Sequence, residues 1–144
     1  MVLVLVMALV FVSSVPLSPE ITAYVQVSTT PYGYPQITLM SIGYQKVTIA
    51  VSASEPKDKV QITPVGTVST TQPAPSVGYT LTVYVTYLGQ TILHGNLANV
   101  QNGFYLIKAS FWPRSEQLNV PYSVQIIVSY LTYNVAITSN LLPN

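Results

Sequence analysis

The sequence of 144 residues contains no cysteine and very little charge. Without cysteine, the chain can form neither a disulfide framework nor a thiolate metal site. Charged residues make up 6% of the sequence, against roughly 25% in an ordinary soluble domain. The formal net charge of +1 provides no positive field to attract phosphate, which argues against nucleic acid as a partner. An apolar content of 49% is too high for intrinsic disorder.

Hydroxyl groups take the place of charge. The chain holds 15 threonines, 14 serines and 11 tyrosines. Soluble proteins usually keep their surface charged, which prevents association. Nine charged side chains cannot cover the surface of this chain, so that surface is rich in hydroxyl and amide groups, buried against other copies, or coated with sugar. All three situations are typical of proteins outside the cell.

The N-terminal run MVLVLVMALVFV, residues 1–12, contains no polar residue, and the two prolines Pro16 and Pro19 follow it closely. It is short for a membrane-spanning helix, which needs about 20 apolar residues. A secretory signal would be cleaved near Ser14. A retained helix without a polar face would be buried in lipid or among like helices. As a strand, Val2–Val6 would insert into another subunit's sheet.

We favour a retained segment that contacts other copies of the chain. Burial of the apolar side chains of residues 1–12 would supply on the order of 15–30 kcal/mol before entropy costs. The predicted assembly interface consists of Met1, Val2, Leu3, Val4, Leu5, Val6, Met7, Leu9, Val10, Phe11 and Val12.

From Glu20 onward, apolar and polar residues alternate with the period of a β-strand, and no helical period is present. Alternation is clear in residues 21–28 and 47–53. It is clearest in residues 79–87, whose even positions are three threonines and a tyrosine. Residues 122–139 predict one long strand or a bent pair. Up to Ser129 the apolar residues of the alternation stand at even-numbered positions, and after it they stand at odd-numbered positions. Such a switch is typical of a bulge or of a strand that moves between sheets.

Short turn-forming stretches rich in Pro, Gly and Asn separate these runs. Seven or eight short strands at this spacing predict a mainly β fold, an immunoglobulin-like antiparallel β-sandwich preceded by an apolar N-terminal helix or donor strand. The Pro/Thr/Ser-rich segment 63–78 is interpreted as a loop across the sandwich. The predicted division is an assembly segment at residues 1–19 and a sandwich domain at residues 20–144.

The residue types that carry enzyme chemistry are scarce. His94 is the single histidine, and no motif links it to a nucleophile or to a carboxylate. Glu55 and Asp58 lie beside Lys57 and Lys59, which is typical of a solvated turn. We therefore predict no catalytic, cofactor-binding or metal-ligating residues, no cofactor, and a protein that is not an enzyme.

Tyrosine is the one abundant residue type with binding chemistry, because its ring has an apolar face and a polar tip. Tyr32, Tyr34 and Tyr44 lie near one another in sequence and are candidates for an adhesive or interface surface. Packing within strands is the other interpretation. No asparagine begins an N-x-Ser/Thr triplet, so N-linked sugar is not expected. The segment 63–78 is a compositional candidate for O-linked glycan.

An apolar, β-branched N-terminal segment followed by a Thr/Ser/Tyr-rich, poorly charged β-sandwich resembles the type IV pilins of archaea. In that family, N-terminal helices bundle into a filament core and immunoglobulin-like domains form the outer shell. The resemblance implies that Met1–Val15 is the core helix and that residues 20–144 form the shell. It further implies a homopolymer that lies in the membrane only before assembly and serves adhesion as an extracellular, cell-surface filament.

Three alternatives remain open at this point. In a donor-strand fibre, the N-terminal segment would complete the sheet of the next subunit. A secreted glycan-binding module would use its tyrosine-rich turns and would be monomeric without the N-terminal segment. A secreted hydrolase would require carboxylates, for example those of Glu20 and Glu116, to converge in one pocket.

Overall fold

A computed structural model describes residues 17–48, 58–69, 72–111 and 121–141, and these residues form eight β-strands. No helix occurs in those ranges. Residues 1–16, which include the whole of the predicted helix (Met1–Val15) and of the predicted donor strand (Val2–Val6), lie outside the described residues. The strands are β1 (Leu17–Thr29), β2 (Pro35–Thr48), β3 (Lys59–Thr67), β4 (Tyr79–Tyr87), β5 (Gln90–Val100), β6 (Gly103–Ser110), β7 (Tyr122–Tyr130) and β8 (Tyr133–Leu141).

The strands form two four-stranded antiparallel sheets. The first sheet has the order β2-β1-β6-β3 and the second has the order β5-β4-β7-β8. Edge strand β2 packs against edge strand β8, and β3 packs against β5. The two sheets therefore lie face to face, as in a β-sandwich. The prediction of a mainly β, antiparallel, two-sheet fold is confirmed.

The core lies between the sheets and follows the alternation seen in the sequence. In β1, the apolar residues from Ile21 to Val27 are at most 2% exposed, and each polar neighbour points to the outer face. In β4 and β7, alternate residues are buried in the same way. The largest fully buried side chains are Tyr79, Tyr122, Ile21, Leu81, Ile107 and Ile126.

Residues 122–139 form a hairpin, and this corrects one expectation. β7 and β8 are joined by the two-residue turn Leu131–Thr132 and pair along their whole length without a register shift. The apolar residues move from even to odd positions because the chain reverses direction within one sheet, and even positions of β7 pair with odd positions of β8. Neither a bulge nor a move between sheets is involved.

The loop expected at residues 63–78 is shorter than the sequence indicated. β3 continues to Thr67 despite Pro64, because Pro64 lies in an edge strand next to a register shift, where proline is tolerated. The connection that follows crosses from the first sheet to the second, as expected.

The two ends of the sandwich differ in what they carry. The distal end is formed by the turns at 30–34, 101–102 and 131–132 together with the loop that precedes Gly78. We call the opposite end, where β1 begins at Leu17 and the N-terminal segment joins it, the arm end. β1 thus begins ahead of the expected domain boundary at Glu20. The apolar N-terminal segment therefore joins the sandwich at the end opposite the distal turns.

Candidate assembly and adhesion surfaces

The β1–β2 turn is a closed loop that presents two tyrosines. The N–H of Gly33 donates to the carbonyl of Thr30 at 2.9 Å, and the N–H of Thr30 donates to the carbonyl of Tyr34, also at 2.9 Å. The N–H of Tyr34 donates to the hydroxyl of Thr30 at 3.1 Å. Gly33 has φ +88°, a conformation that glycine adopts without steric cost. These bonds hold Tyr32 and Tyr34 at the tip of the distal end.

Tyr34 meets a tyrosine that is distant in sequence. Its ring centroid lies 4.7 Å from that of Tyr133, at an interplanar angle of 57°. A hydrogen bond between the two side chains raises the pKa of Tyr133. Tyr32 is 86% exposed and Leu131, on the neighbouring turn, is 80% exposed. We call these four residues, Tyr32, Tyr34, Leu131 and Tyr133, the distal tyrosine patch.

Tyr44, the third candidate tyrosine, lies elsewhere. It belongs to β2 and is partly buried, and its ring centroid lies 5.5 Å from that of Tyr122. The Tyr122 ring also contacts Phe111 at 5.2 Å and Tyr87 at 6.0 Å. Burial raises the pKa of Tyr44, and burial is likewise the main cause of the raised pKa of Tyr122. Tyr44 is thus part of an aromatic cluster at the arm end and contributes nothing to the distal tyrosine patch.

A chain of hydrogen bonds lies inside the distal end, next to the turns that form it. The Thr29 hydroxyl is bonded to the Tyr79 hydroxyl at 2.6 Å and donates to Oδ1 of Asn102 at 3.0 Å. Asn102 in turn donates from Nδ2 to the carbonyl of Gln72 at 3.1 Å. The hydroxyl of Tyr105 donates to the carbonyl of Gln101 at 2.8 Å. These bonds connect both sheets and the crossing loop beneath the distal tyrosine patch.

Among the residues that the structure describes, charge is found only with the first sheet. Strands β4, β5, β7 and β8, which make up the second sheet, contain no Asp, Glu, Lys or Arg. The charged residues within the described ranges belong to the first sheet or directly precede it: Glu20, Lys46, Asp58, Lys59 and Lys108. The outer face of the second sheet therefore presents hydroxyl and amide groups and the imidazole of His94, but no Asp, Glu, Lys or Arg side chain.

Of the residues considered for enzyme chemistry, His94 and Glu20 lie in different sheets. His94 lies exposed on β5 and stacks on Tyr84 with ring centroids 6.1 Å apart. Glu20 lies in the other sheet, where its Oε1 accepts a hydrogen bond from Gln45 at 3.3 Å. Glu55 and Glu116 lie outside the described residues. Within the described ranges, no three His, Asp or Glu side chains are grouped as metal ligands would be.

A shallow depression of about 370 Å³ lies on the outer face of the first sheet. It forms where Gly43 of β2 pairs with Thr22 of β1, because glycine has no side chain to fill the space. Hydroxyl and amide groups line it, from Thr22, Ser41 and Gln45 among others. It contains no titratable group suited to catalysis.

Sequence reasoning identified half of the distal tyrosine patch. The stretch Pro31–Pro35 indicated an exposed turn with two tyrosines. Leu131 and Tyr133 were missed because they join the patch only through the pairing of β7 with β8 and the packing of β8 on β2. Residues 130–133 contain none of the Gly, Pro, Asn or Asp residues that usually indicate a β-turn, so the sequence did not show that the chain reverses there.

The predicted assembly residues, Met1 to Val12, lie outside the described residues. In the part of the chain that is described, no helix has the length and apolar character of a membrane span. Comparison of the chain with protein-family models, with curated proteins and with solved structures found no match in any of the three.

Proposed function

We propose that this chain is the structural subunit of an extracellular filament that polymerises through its apolar N-terminal segment. The sandwich forms the outer shell, the partners are copies of the same chain, and the filament serves adhesion at the cell surface. The membrane holds the subunit only before assembly, and no cofactor or catalysis is involved.

The observation that carries this proposal is the filled core. Twelve large side chains between the two sheets are less than 2% exposed, and all of them come from the described strands. Within the described residues, the space between the two sheets is therefore filled, and an added apolar segment such as residues 1–12 would need another surface to cover it. Since an apolar segment of that length is strongly driven out of water, burial against other copies is the favourable solution.

The arrangement of the two ends supports the same function. The apolar segment joins at the arm end, and the distal tyrosine patch lies at the opposite end. In a polymer built on the N-terminal segments, the patch would point outward, where exposed aromatic rings with polar tips can contact a surface or a glycan. We assign the adhesive role to Tyr32, Tyr34 and Tyr133.

Strand order supports an immunoglobulin-like topology as part of the proposal. The second sheet, β5-β4-β7-β8, has the order of strands C′, C, F and G of that fold. β3 and β6 pair as strands B and E do. The β1–β2 hairpin then extends the first sheet beyond β6. This topology supports assigning the sandwich to the outer-shell domain that the resemblance to archaeal type IV pilins implies.

The N-terminal segment has two forms consistent with this function. In the pilin arrangement, it is a helix in the filament core. In a donor-strand fibre, it is a strand in the sheet of a neighbouring subunit. One observation favours the strand: the chain is already extended at Leu17, directly after Pro16. A strand is compatible with this position, because the residue before a proline is restricted to extended conformations.

The test is a charge placed in the N-terminal segment of the full chain. Val6→Asp should abolish filaments seen by electron microscopy, because an unpaired carboxylate among apolar neighbours is very costly. Val6→Ile, the matched control, should assemble normally. Thermal unfolding of the sandwich should be unchanged in both. Normal filaments from Val6→Asp would overturn the proposal.

A further inference from the structure

The four edge strands of the sandwich differ in their protection against pairing with another chain. An edge strand exposes unpaired backbone N–H and C=O groups, and proteins usually interrupt it with Pro, Gly, charge or a β-bulge. β2 contains Gly43 and an unpaired Met40, and β3 contains Pro64 beside a register shift. β5 contains Gly95 and two register shifts. Three edges are thus interrupted.

β8 is the exception. Its nine residues, YNVAITSNL, include no Pro, no Gly and no charge. All nine pair with β7 in one uninterrupted register. No described strand lies on the other side of β8. An added strand can form hydrogen bonds along the whole length of such a regular, uncharged edge.

The β7–β8 turn determines which backbone groups of β8 are free. A two-residue turn is closed by a hydrogen-bonded pair, here Tyr130 and Tyr133. Hydrogen-bonded and non-hydrogen-bonded pairs then alternate along an antiparallel ladder. Every second residue therefore directs its N–H and C=O away from β7, and the side chains of these residues are exposed. They are Asn134, Ala136, Thr138 and Asn140.

We infer that this edge of β8 is the acceptor for the apolar N-terminal segment of a second copy, which adds to the second sheet as a fifth strand. The inference rests on the proposed function and names the surface that the segment occupies. At about 3.3 Å per residue, the nine residues of β8 span roughly 30 Å, and the apolar run of residues 1–12 extends to roughly 40 Å. Residues 13–16 remain to connect the added strand to Leu17.

The side chains around this edge suit an apolar strand. β8 packs against β2, and three inward apolar side chains of these strands, Leu39, Val135 and Ile137, are only partly buried. The inward half of an added strand would cover them. Because the strands of the second sheet carry no charge, nothing ionic would be desolvated.

The composition of the segment fits the same position. Successive side chains of a strand point to opposite faces, so every second apolar residue of 1–12 would lie over the inward side chains of β2 and β8. A segment that leaves one copy at the arm end and pairs with β8 of another makes a head-to-tail contact. Such contacts propagate into open filaments, whereas pairing of β8 with β8 would stop at a two-fold dimer.

The first test compares two substitutions at one position of the full chain. Thr138→Pro removes an edge-facing N–H and leaves the ladder to β7 intact, whereas Thr138→Val keeps the N–H and the β-branched shape. We expect Thr138→Val to polymerise like the unchanged chain and Thr138→Pro to remain monomeric with an unchanged melting temperature. Equal polymerisation of both variants would overturn the acceptor role of β8 and leave the proposed function standing.

A second measurement keeps the inference testable if Thr138→Pro fails to fold. Backbone amide hydrogen exchange is compared between the Val6→Asp monomer and the polymer of the unchanged chain. In the monomer, the amides of Ala136 and Thr138 should exchange fast while those of Val135 and Ile137 are protected. In the polymer, all four should be protected. Fast exchange at Ala136 and Thr138 in the polymer would overturn the inference.

Two further outcomes would also overturn it. Association that stops at a dimer and survives Val6→Asp would show that the occupant is β8 of a second copy. Protection of Ala136 and Thr138 in a monomer of the unchanged chain would show that the segment pairs with its own β8. A chain that forms no polymer under any condition would instead refute the proposed function itself.

Discussion

The hydroxyl oxygens of Thr29 and Tyr79 lie 2.6 Å apart, and they join the two sheets through the core beneath the distal end. Thr29 is 4% exposed and Tyr79 is fully buried. Because Thr29 donates onward to Asn102, the Tyr79 hydroxyl donates to Thr29. The bond fixes β1 against β4 at the base of the distal turns.

The first prediction concerns this bond. Thr29→Val keeps the shape of the side chain but leaves a buried tyrosine hydroxyl without its acceptor, which costs about 1–3 kcal/mol. The free energy of unfolding, measured in urea, should fall by that amount. Thr38→Val, at an exposed position of β2, is the matched control and should change it little. Equal effects of the two substitutions would contradict the role of the Thr29–Tyr79 bond.

The second prediction separates backbone strain from steric overlap at two glycines with positive φ. At Gly33, φ is +88° and a Cβ would meet nothing within 4 Å, so Gly33→Ala should cost only the left-handed backbone penalty of about 1–2 kcal/mol. At Gly78, φ is +72° and a Cβ would lie 2.6 Å from the backbone of Asn99. Gly78→Ala should therefore cost about 2–5 kcal/mol, since overpacking adds to the backbone penalty.

The comparison is made by urea unfolding of both variants beside the unchanged chain. A cost at Gly33 equal to or above that at Gly78 would mean that the loop before β4 does not pack against Asn99 as described.

The third prediction is a loss of stability at alkaline pH. Burial is the main cause of the raised pKa values of Tyr44, Tyr105 and Tyr122, while tyrosines in the unfolded chain titrate near 10. Above that pH, the unfolded state releases protons that the folded state retains. The free energy of unfolding therefore keeps its full value below about pH 10. It falls as the pH rises further, by up to roughly 1.4 kcal/mol per pH unit for each tyrosine whose pKa is raised in the folded state.

Tyr122→Phe tests this directly, because Tyr122 is 1% exposed at the centre of the arm-end aromatic cluster. The free energy of unfolding should decline less steeply with pH in Tyr122→Phe than in the unchanged chain, between about pH 10 and about pH 12. Tyr32→Phe, at an 86% exposed position, should leave the slope as it is. Identical slopes in all three proteins would contradict the burial of Tyr122.

The fourth prediction concerns adhesion. The double variant Tyr32→Ser/Tyr34→Ser should still form filaments, because both tyrosines lie in the β1–β2 turn, away from the arm end and outside β8. Its adherence to surfaces or neutral glycans should fall about tenfold, since each ring contact contributes about 0.5–1.5 kcal/mol. Tyr84→Ser, on the outer face of the second sheet, is the control and should keep full adherence. Unchanged adherence of the double variant would remove the adhesive role from the patch.

Much of the fold could be predicted where the strands have two distinct faces. β1, β4 and β7 alternate regularly because one face is in the core and the other in water. β2, β3 and β5 gave weaker patterns, since the unpaired Met40, Pro64 and Gly95 each interrupt the period of two. The pairing of β1 with β6 could not be predicted from the alternation of apolar and polar residues, because it joins residues that are far apart in the chain.

The candidate surfaces were predictable to a smaller extent. The turn residues Pro31 and Gly33 marked Tyr32 and Tyr34 as exposed, since such residues favour turns. Tyr44 was grouped with them by nearness in sequence alone, yet its position in a strand turns it toward Tyr122. The free edge of β8 depends on sheet order, which sequence patterns do not specify.

The central claim is that the apolar N-terminal segment is retained in the polymer and holds it together. The most direct measurement is the intact mass of subunits taken from filaments sheared off cells that express the protein. We predict a mass of 15.7 kDa or more. A mass lower by about 1.5 kDa, as cleavage of a secretory signal near Ser14 would produce, would contradict assembly through residues 1–12.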